Sequence, residues 1–514
     1  LYRDRPEPWS EGNTVRPLIH GATYFAELLD GVRALRSGDL LLFTDWRGDP
    51  DERLSDDADT EVAEVFCTAA ARGVIVRGLL WRSHLDRLRF SSAENRHLGE
   101  KINSAGGKCL LDMRVRVGGS HHMKVVVLRH LDDVERDVAY VGGIDLCHSR
   151  RDTAEHRGDP QPVAMAPEYG ERPPWHDVQV AIRGPAVADV ETIFRERWED
   201  PTPLTRNPLH RLGDLIRHDA IKADPLPSPP PVPQVRGALA IQLLRTYPYR
   251  RGSGYPFAPD GERTVARGYT KVIRRARRLI YLEDQYLWST DVAGQFADAL
   301  REHPELQIIA VVPHFPDQSG RFSTPPNLLG RVQAITALRA AGGDRVAVYG
   351  VENHSGTPVY VHAKVCVIDD VWAAVGSDNF NRRSWTHDSE VSCAVLDADR
   401  DTREPRDPGS LGDGARKYAR DLRLALAREH LDRGDDDDAD LVDPATAFAA
   451  FREAADELDR WHRMGRRGPR PRGRLRPYRV PELGPVTRVW AEPVYRLAFD
   501  PDGRPARLRR QREF

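Results

Sequence analysis

The order of elements in this chain runs twice, and that duplication restricts its fold more than any single residue does. FAELLDGVRALRSGDLLLFTDW (25–46) reads as an amphipathic helix followed by a buried strand, and YTKVIRRARRLIYLEDQYLWS (269–289) reads the same way. A helix and strand follow in each half, EVAEVFCTAAARGVIVRGLLW (61–81) against QFADALREHPELQIIAVVP (295–313). A further helix ends in Ala-Gly-Gly before a strand at 105–107 and again at 341–343, where glycine is expected to cap the helix. The last repeated elements are acid-led alternating strands, WHDVQVAIRG (175–184) and DSEVSCAVLD (388–397). Helices alternating with short β-branched runs imply an α/β protein with parallel or mixed sheets, arranged as two similar lobes.

The boundaries follow from where the pattern starts and stops. The first lobe is expected within 1–205 and the second within 237–400, joined by a linker over 206–236 whose ADPLPSPPPVPQV (223–235) is an extended spacer. The tail, 401–514, reads as a helix near 447–464 and a hairpin turning at Asp502-Gly503, docked on the lobes. Its basic stretch at 465–479 reads as a solvated or lobe-docking segment in preference to a membrane contact.

With 514 residues, 40% hydrophobic and 30% charged, the chain is long enough for more than one core. It contains no run of about 18 apolar residues that would span a membrane. A net charge of −2 advertises no nucleic-acid partner. Five scattered cysteines form neither a disulfide framework nor a metal motif, and no His, Cys or carboxylate cluster stands at metal-ligand spacing. The expectation is a monomeric cytoplasmic protein, peripheral to a membrane, although the start Leu-Tyr-Arg without Met suggests a trimmed N-terminus.

Two of only seven lysines stand in His-x-Lys, at His122/Lys124 and His362/Lys364. Residues two apart on a strand face one side, so each imidazole and ammonium point together. A histidine can act as nucleophile or proton donor near neutral pH, and an ammonium can neutralise a phosphate oxygen. Each motif is followed by a glycine turn and an acid or amide: Gly142-Gly143-Ile144-Asp145 in the first half, Gly376-Ser377-Asp378-Asn379 in the second.

HAKVCVID, with His362, Lys364 and Asp369, followed by GSDNFNRRS and DSE, resembles the His-Lys-Asp signature of the phospholipase D superfamily. YLEDQYLW (281–288) and PWHDVQVAIRGPAVADVETIFRERW (174–198) are similar to segments of its phosphatidylcholine-hydrolysing branch and bacterial relatives. The resemblance covers about residues 12–400. It implies a bilobal fold of two α/β/α sandwich lobes related by a pseudo-twofold, with one shared active site. It implies a phosphodiesterase in which His122 attacks phosphorus and His362 protonates the leaving alcohol. Lys124 and Lys364, with Asn379 and the backbone beside Asp145, then hold the nonbridging oxygens. No cofactor is expected, because the two lysines supply the positive charge. The expected reaction is hydrolysis of a phosphatidylcholine-like lipid at a membrane surface to phosphatidic acid and alcohol, with transphosphatidylation. A cardiolipin-synthase-like phosphatidyltransferase is the first rival and a nuclease of the same superfamily the second.

Internal alignment sets Asp177 opposite Glu390 as the acids that orient the two imidazoles, with strand-end solvation as the alternative. Asp369 belongs to the signature, yet a turn or bracing role suits it better than a reactant's. The first copy departs from the second: His122 stands six residues farther from its glycine turn than His362 does, and Arg129 occupies the motif's aspartate position. Glu135 is the favoured replacement among Asp132, Asp133, Glu135 and Asp137, inside a lengthened hairpin loop. Ser377 and Gly143 line the glycine turns, and Trp385, Tyr360 and Trp175 are candidates for holding a choline-like cation. Loops 245–261 and 312–327 could line a lipid-facing mouth or be ordinary connections.

Overall fold

A computed structural model describes residues 7–83, 92–217, 219–250, 252, 254–320, 323–511 and 513–514. Parts of the 245–261 and 312–327 loops therefore lie outside the described residues, as does the start of the chain.

Strands β1 (Ser10–Ile19), β2 (Leu40–Asp45), β3 (Ile75–Trp81), β4 (Lys108–Asp112), β5 (Val125–Arg129) and β6 (Val138–Gly142) build the first sheet. The short β7 (Trp175–His176) then precedes β8 (Val178–Arg183), which completes it. Its strand order is 4-3-2-5-6-8-1, parallel through β4, β3 and β2 and antiparallel beyond. The second sheet takes β9 (Leu239–Tyr247), with β10 (Glu262–Arg263) at its end, then β11 (Leu279–Glu283), β12 (Gln307–Val311) and β13 (Val346–Glu352). After β14 (Pro358–Val361) it gains β15 (Val365–Ile368), β16 (Trp372–Gly376) and β17 (Glu390–Asp397). Its order, 13-12-11-15-16-17-9, repeats the first strand for strand. β1 belongs to both sheets, pairing with β9 through Ser10 and Asn13 and with β8 from Thr14 to Ile19.

Helices α1 (Gly21–Arg33), α2 (Val62–Ala71) and α3 (Ser92–Ser104) cover the outer face of the first sheet. Between the sheets lies α4 (Ala186–Trp198); α5 (Pro208–Arg217) belongs to the linker. Helices α6 (Thr264–Arg275), α7 (Thr290–Glu302), α8 (Thr324–Gly342) and the short α9 (Arg382–Thr386) cover the second sheet. Because each central strand has helices or a second sheet on both faces, β2 reads Leu-Leu-Leu-Phe without alternation. One apolar core runs from Leu42 and Val180 of the first sheet to Val367 and Cys393 of the second. Full burial of each such aliphatic side chain is worth about 1.5–3 kcal/mol.

The tail departs in part from expectation. Helices α10 (Lys417–His430), α11 (Ala439–Val442) and α12 (Pro444–Arg463) are followed by an edge strand, β18 (Leu475–Pro477), on β13. The basic stretch docks, with Arg470 and Arg476 on Glu352 and Arg474 on Asp432. The expected hairpin is absent. α13 (Pro485–Val494) occupies its first arm and α14 (Ala506–Gln511) follows its second. Ala491 and Tyr495, four apart, reach Trp288 and Leu329 at helical spacing, and Gly503 N–H donates to Thr386 Oγ1 (2.9 Å). Among the described residues no helix is long and apolar enough to cross a membrane.

Candidate active site

Corresponding ends of the two sheets meet. Both His-x-Lys pairs lie in extended segments that lead into β5 and β15, and the glycine turns leave β6 and β16 at the same ends. The segment carrying each histidine is bonded through its backbone to the acid-bearing segment of the opposite lobe. His362 N–H donates to His176 O (2.8 Å), continuing a parallel β14–β7 pair, and His122 N–H donates to Ser389 O (2.9 Å).

That exchange decides the side-chain pairs. His122 Nδ1 lies 2.9 Å from Glu390 Oε2, and His362 Nδ1 lies 2.7 Å from Asp177 Oδ2. Each imidazole therefore takes its carboxylate from the other lobe. Gly143 is required here, since a Cβ at that position would come within 2.2 Å of Asp177 Oδ1. Its counterpart Ser377 instead donates its hydroxyl to Glu390 Oε2 (2.6 Å).

Burial, reinforced by Lys124 and Lys364, holds the His122 imidazole well below its usual value. Burial with Lys364 and Arg150 does the same for His362. Burial and the neighbouring Asp388 push Glu390 up to about 8, so the His122–Glu390 pair keeps its shared proton to that pH. Burial lowers the Lys364 ammonium to about 8.

The lysines are held differently. Lys124 Nζ donates to His122 O (3.0 Å) and lies 3.3 Å from Asp145 Oδ1, whereas Lys364 Nζ donates to His362 O and to Gln285 Oε1 (3.3 Å). Asp145 faces a second carboxyl, Asp45, at the end of β2. Burial and Asp145 push Asp45 well up, while Lys124, Asp45's hydrogen bond and Arg150 outweigh burial to keep Asp145 low. The first half thus carries one proton between two carboxyls, and its lysine is partly neutralised. Lys364 has neutral hydrogen-bond acceptors, and the buried Asn379 amide oxygen has no hydrogen-bond partner.

Other candidates lie elsewhere. Asp369 stands at the far end of β15 and accepts from the backbone N–H of Arg277, Arg278 and Leu279 at 2.7–2.8 Å. It braces the corner before β11 and touches neither histidine ring. Glu135 does not replace it: its side chain pairs with Arg236. At the matching corner of the first lobe the acid has changed sides, Asp39 accepting from Leu131 N–H (2.9 Å) of the hairpin and from Arg36 N–H (2.8 Å). Trp385 is a core residue, fully buried and stacked on Tyr269 at 5.6 Å, and so cannot meet a headgroup. Tyr360 is buried against Trp175 and accepts from Gln285 Nε2 (2.8 Å), which places it behind Lys364. Trp175 packs 5.0 Å from the His362 ring, but its face is already covered by the Arg150 guanidinium at 3.9 Å.

Asp45, Trp46, Arg150 and Gln285 also stand at the site, outside both His-x-Lys motifs. Trp46 stands edge-on to His122 at 6.2 Å and follows Asp45, as Gln285 follows Asp284 in the second half. Aligning TDW with EDQ in the repeat was the available signal; Arg150 had none.

Two family profiles match overlapping stretches of the chain: one described as Phospholipase D over residues 95–295, the other as Cardiolipin synthase, PLD-like domain, over 269–403. This chain belongs to the phospholipase D superfamily. Among its superfamily relatives, phospholipase D alpha 2 of Oryza sativa subsp. japonica is 26% identical, over 73% of this chain and 58% of that protein. Phospholipase D alpha 2 of Arabidopsis thaliana is 25% identical, over 84% and 67%. The chain spans about half the length of the curated relatives it matches: 58% of the Oryza sativa protein, and 47% and 53% of the phospholipase D alpha 1 proteins of Vigna unguiculata and Cynara cardunculus. A solved phosphatidylserine synthase from Haemophilus influenzae Rd KW20 aligns at a TM-score of 0.49 with 12% identity, over 74% of this chain and 82% of that one.

Proposed function

We propose that this superfamily member is a phospholipase D acting on phosphatidylcholine-like glycerophospholipids, by hydrolysis and by transfer of the phosphatidyl group to another alcohol. The observation that carries the reading is the crossed arrangement of His122–Glu390 and His362–Asp177, with a lysine beside each histidine. Two imidazoles suit a displacement in two steps. His122 attacks phosphorus through Nε2 while its Nδ1 proton is held by Glu390, and His362, whose ring shares a proton with the Asp177 carboxyl that burial raises, protonates the departing alcohol oxygen through Nε2. His362 then removes a proton from water or an acceptor alcohol, which displaces His122 from the phosphohistidine. Lys364 and the Asn379 amide take the nonbridging oxygens, with Lys124 as the weaker clamp because Asp145 already faces it.

The test is incubation with phosphatidylcholine vesicles and ethanol: phosphatidylethanol and free choline are expected. A phosphatidyltransferase of the cardiolipin-synthase kind is the second reading, favoured by the profile over residues 269–403. Turnover of phosphatidylglycerol to cardiolipin without choline release would establish it in place of the first.

A further inference from the structure

Beneath the His362 half-site, four side chains from distant segments bring ligand-type atoms together: His20 after β1, His156 in the connection before β7, His176 in β7, and Glu429 in α10. Their nearest ring nitrogens and carboxylate oxygens all lie within 4.8 Å of one another. The three histidines are fully buried or nearly so. Glu429 Oε2 is 2.9 Å from His20 Nε2, and Glu429 Oε1 is 3.0 Å from His156 Nε2 and 3.2 Å from His176 Nδ1.

The outer bonds fix which ring nitrogen is bare. His156 Nδ1 faces the Trp175 carbonyl at 3.1 Å, which only accepts, so that nitrogen carries the proton and Nε2 holds the lone pair. His176 Nε2 donates to the Glu283 carboxylate at 2.6 Å, leaving the lone pair on Nδ1. That Nδ1 is buried with no hydrogen-bond partner, although the Glu429 oxygen is close. Two ring nitrogens and a carboxylate oxygen thus converge at contact distances that need a proton or a metal ion between nitrogen and oxygen. A cation at that point answers the arrangement. A backbone carbonyl on one ligand histidine and a carboxylate on another are the usual outer partners of metal-bound imidazoles. Glu283 is itself held by His430 Nε2 (2.8 Å) and Tyr281 OH (2.5 Å).

We propose that His20, His156, His176 and Glu429 form a structural zinc site that ties the first lobe to α10. Three imidazoles and one carboxylate make a closed tetrahedral set for Zn²⁺, with no position left for water. The site bears on catalysis by position only: His176 O receives the His362 and Ala363 amides, and the next residue, Asp177, holds the His362 ring. Its members are therefore positioning residues.

The full chain, grown with added zinc and purified without metal-affinity resin, is expected to carry about one zinc per chain by elemental analysis. Stripping it with dipicolinate should lower Tm by several degrees, and added Zn²⁺ should restore it. His20→Ala and Glu429→Gln should lose the metal while keeping a native far-UV spectrum. Should those variants not fold, cobalt exchange into the wild type decides, since a tetrahedral Co²⁺ site has intense visible bands. Wild type with below about 0.1 zinc per chain and no Tm response to Zn²⁺ overturns the proposal. So does equal zinc in wild type and in folded variants, or stripped wild type that gives no tetrahedral cobalt spectrum.

Discussion

At the scale of single residues, the site's chemistry is set by where protons rest. Glu390 keeps its proton to about pH 8, because burial and Asp388 disfavour its anion. Lys364 begins to lose its charge near the same value, because burial disfavours its cation. Activity should therefore rise as the His122–Glu390 pair releases its proton and fall as Lys364 becomes neutral, giving a narrow bell near pH 8 in kcat/KM. Lys364→Arg is expected to remove the alkaline limb even as it lowers the maximum, since guanidinium stays charged. A kcat/KM profile in which that limb persists would assign it to another group. The orienting acids should matter about as much as general acid–base groups do: Asp177→Asn and Glu390→Gln are each expected to cost about 10²–10⁴-fold in kcat. In spectra of labelled histidine, Asp177→Asn should shift the His362 ring signals and leave those of His122 in place. The reverse pattern would contradict the crossed pairing.

At the scale of elements, the lengthened first hairpin shows which part of the motif is free to vary. Nine residues separate the last paired positions, Leu128 and Val138, in the first lobe; three separate Ile368 and Trp372 in the second. All the extra length falls at the end of β5 and β6 remote from His122 and Lys124, so the His-x-Lys pair keeps its register on the sheet. The bracing acid is similarly movable, standing on the hairpin as Asp369 in one lobe and on the helix–strand corner as Asp39 in the other. Asp369→Ala leaves three backbone N–H groups without their acceptor, each worth about 1–3 kcal/mol where water cannot replace it. It is expected to lower the urea midpoint clearly while kcat of the remaining folded protein changes by less than about 3-fold, well under an acid–base group's contribution. A loss of kcat comparable to that of Asp177→Asn would return Asp369 to the reacting groups.

At the scale of the whole molecule, neither lobe holds a complete histidine–acid pair. Residues 1–235 contain His122 and Asp177, and 236–514 contain His362 and Glu390, so each half lacks the partner of its own imidazole. Either segment expressed alone is expected to be inactive, and co-expression of the two should restore phosphodiesterase turnover, because β1 and the interlobe core give them a large common surface. Activity from one segment alone would rule out the shared site.

Much of this was legible in the chain. Helical and strand periodicities repeat in the same order, so the two α/β lobes, the His-x-Lys pairs and the equivalence of Asp177 with Glu390 follow from local pattern. The tail's last segment is ambiguous in the chain because VTRVWAEPVYRLAF satisfies both a strand's alternation and a helix's four-residue spacing, and only contact with Trp288 and Leu329 selects the helix. Trp385 likewise has the composition of a binding residue and the surroundings of a core one. Sequence alone determined which residues are chemically able to act and that they come in two sets. Tertiary structure decided which acid serves which histidine, and gathered His20, His156, His176 and Glu429 from segments as much as 409 residues apart. Periodicity constrains only neighbours along the chain; pairing across the lobes depends on how two whole sheets meet.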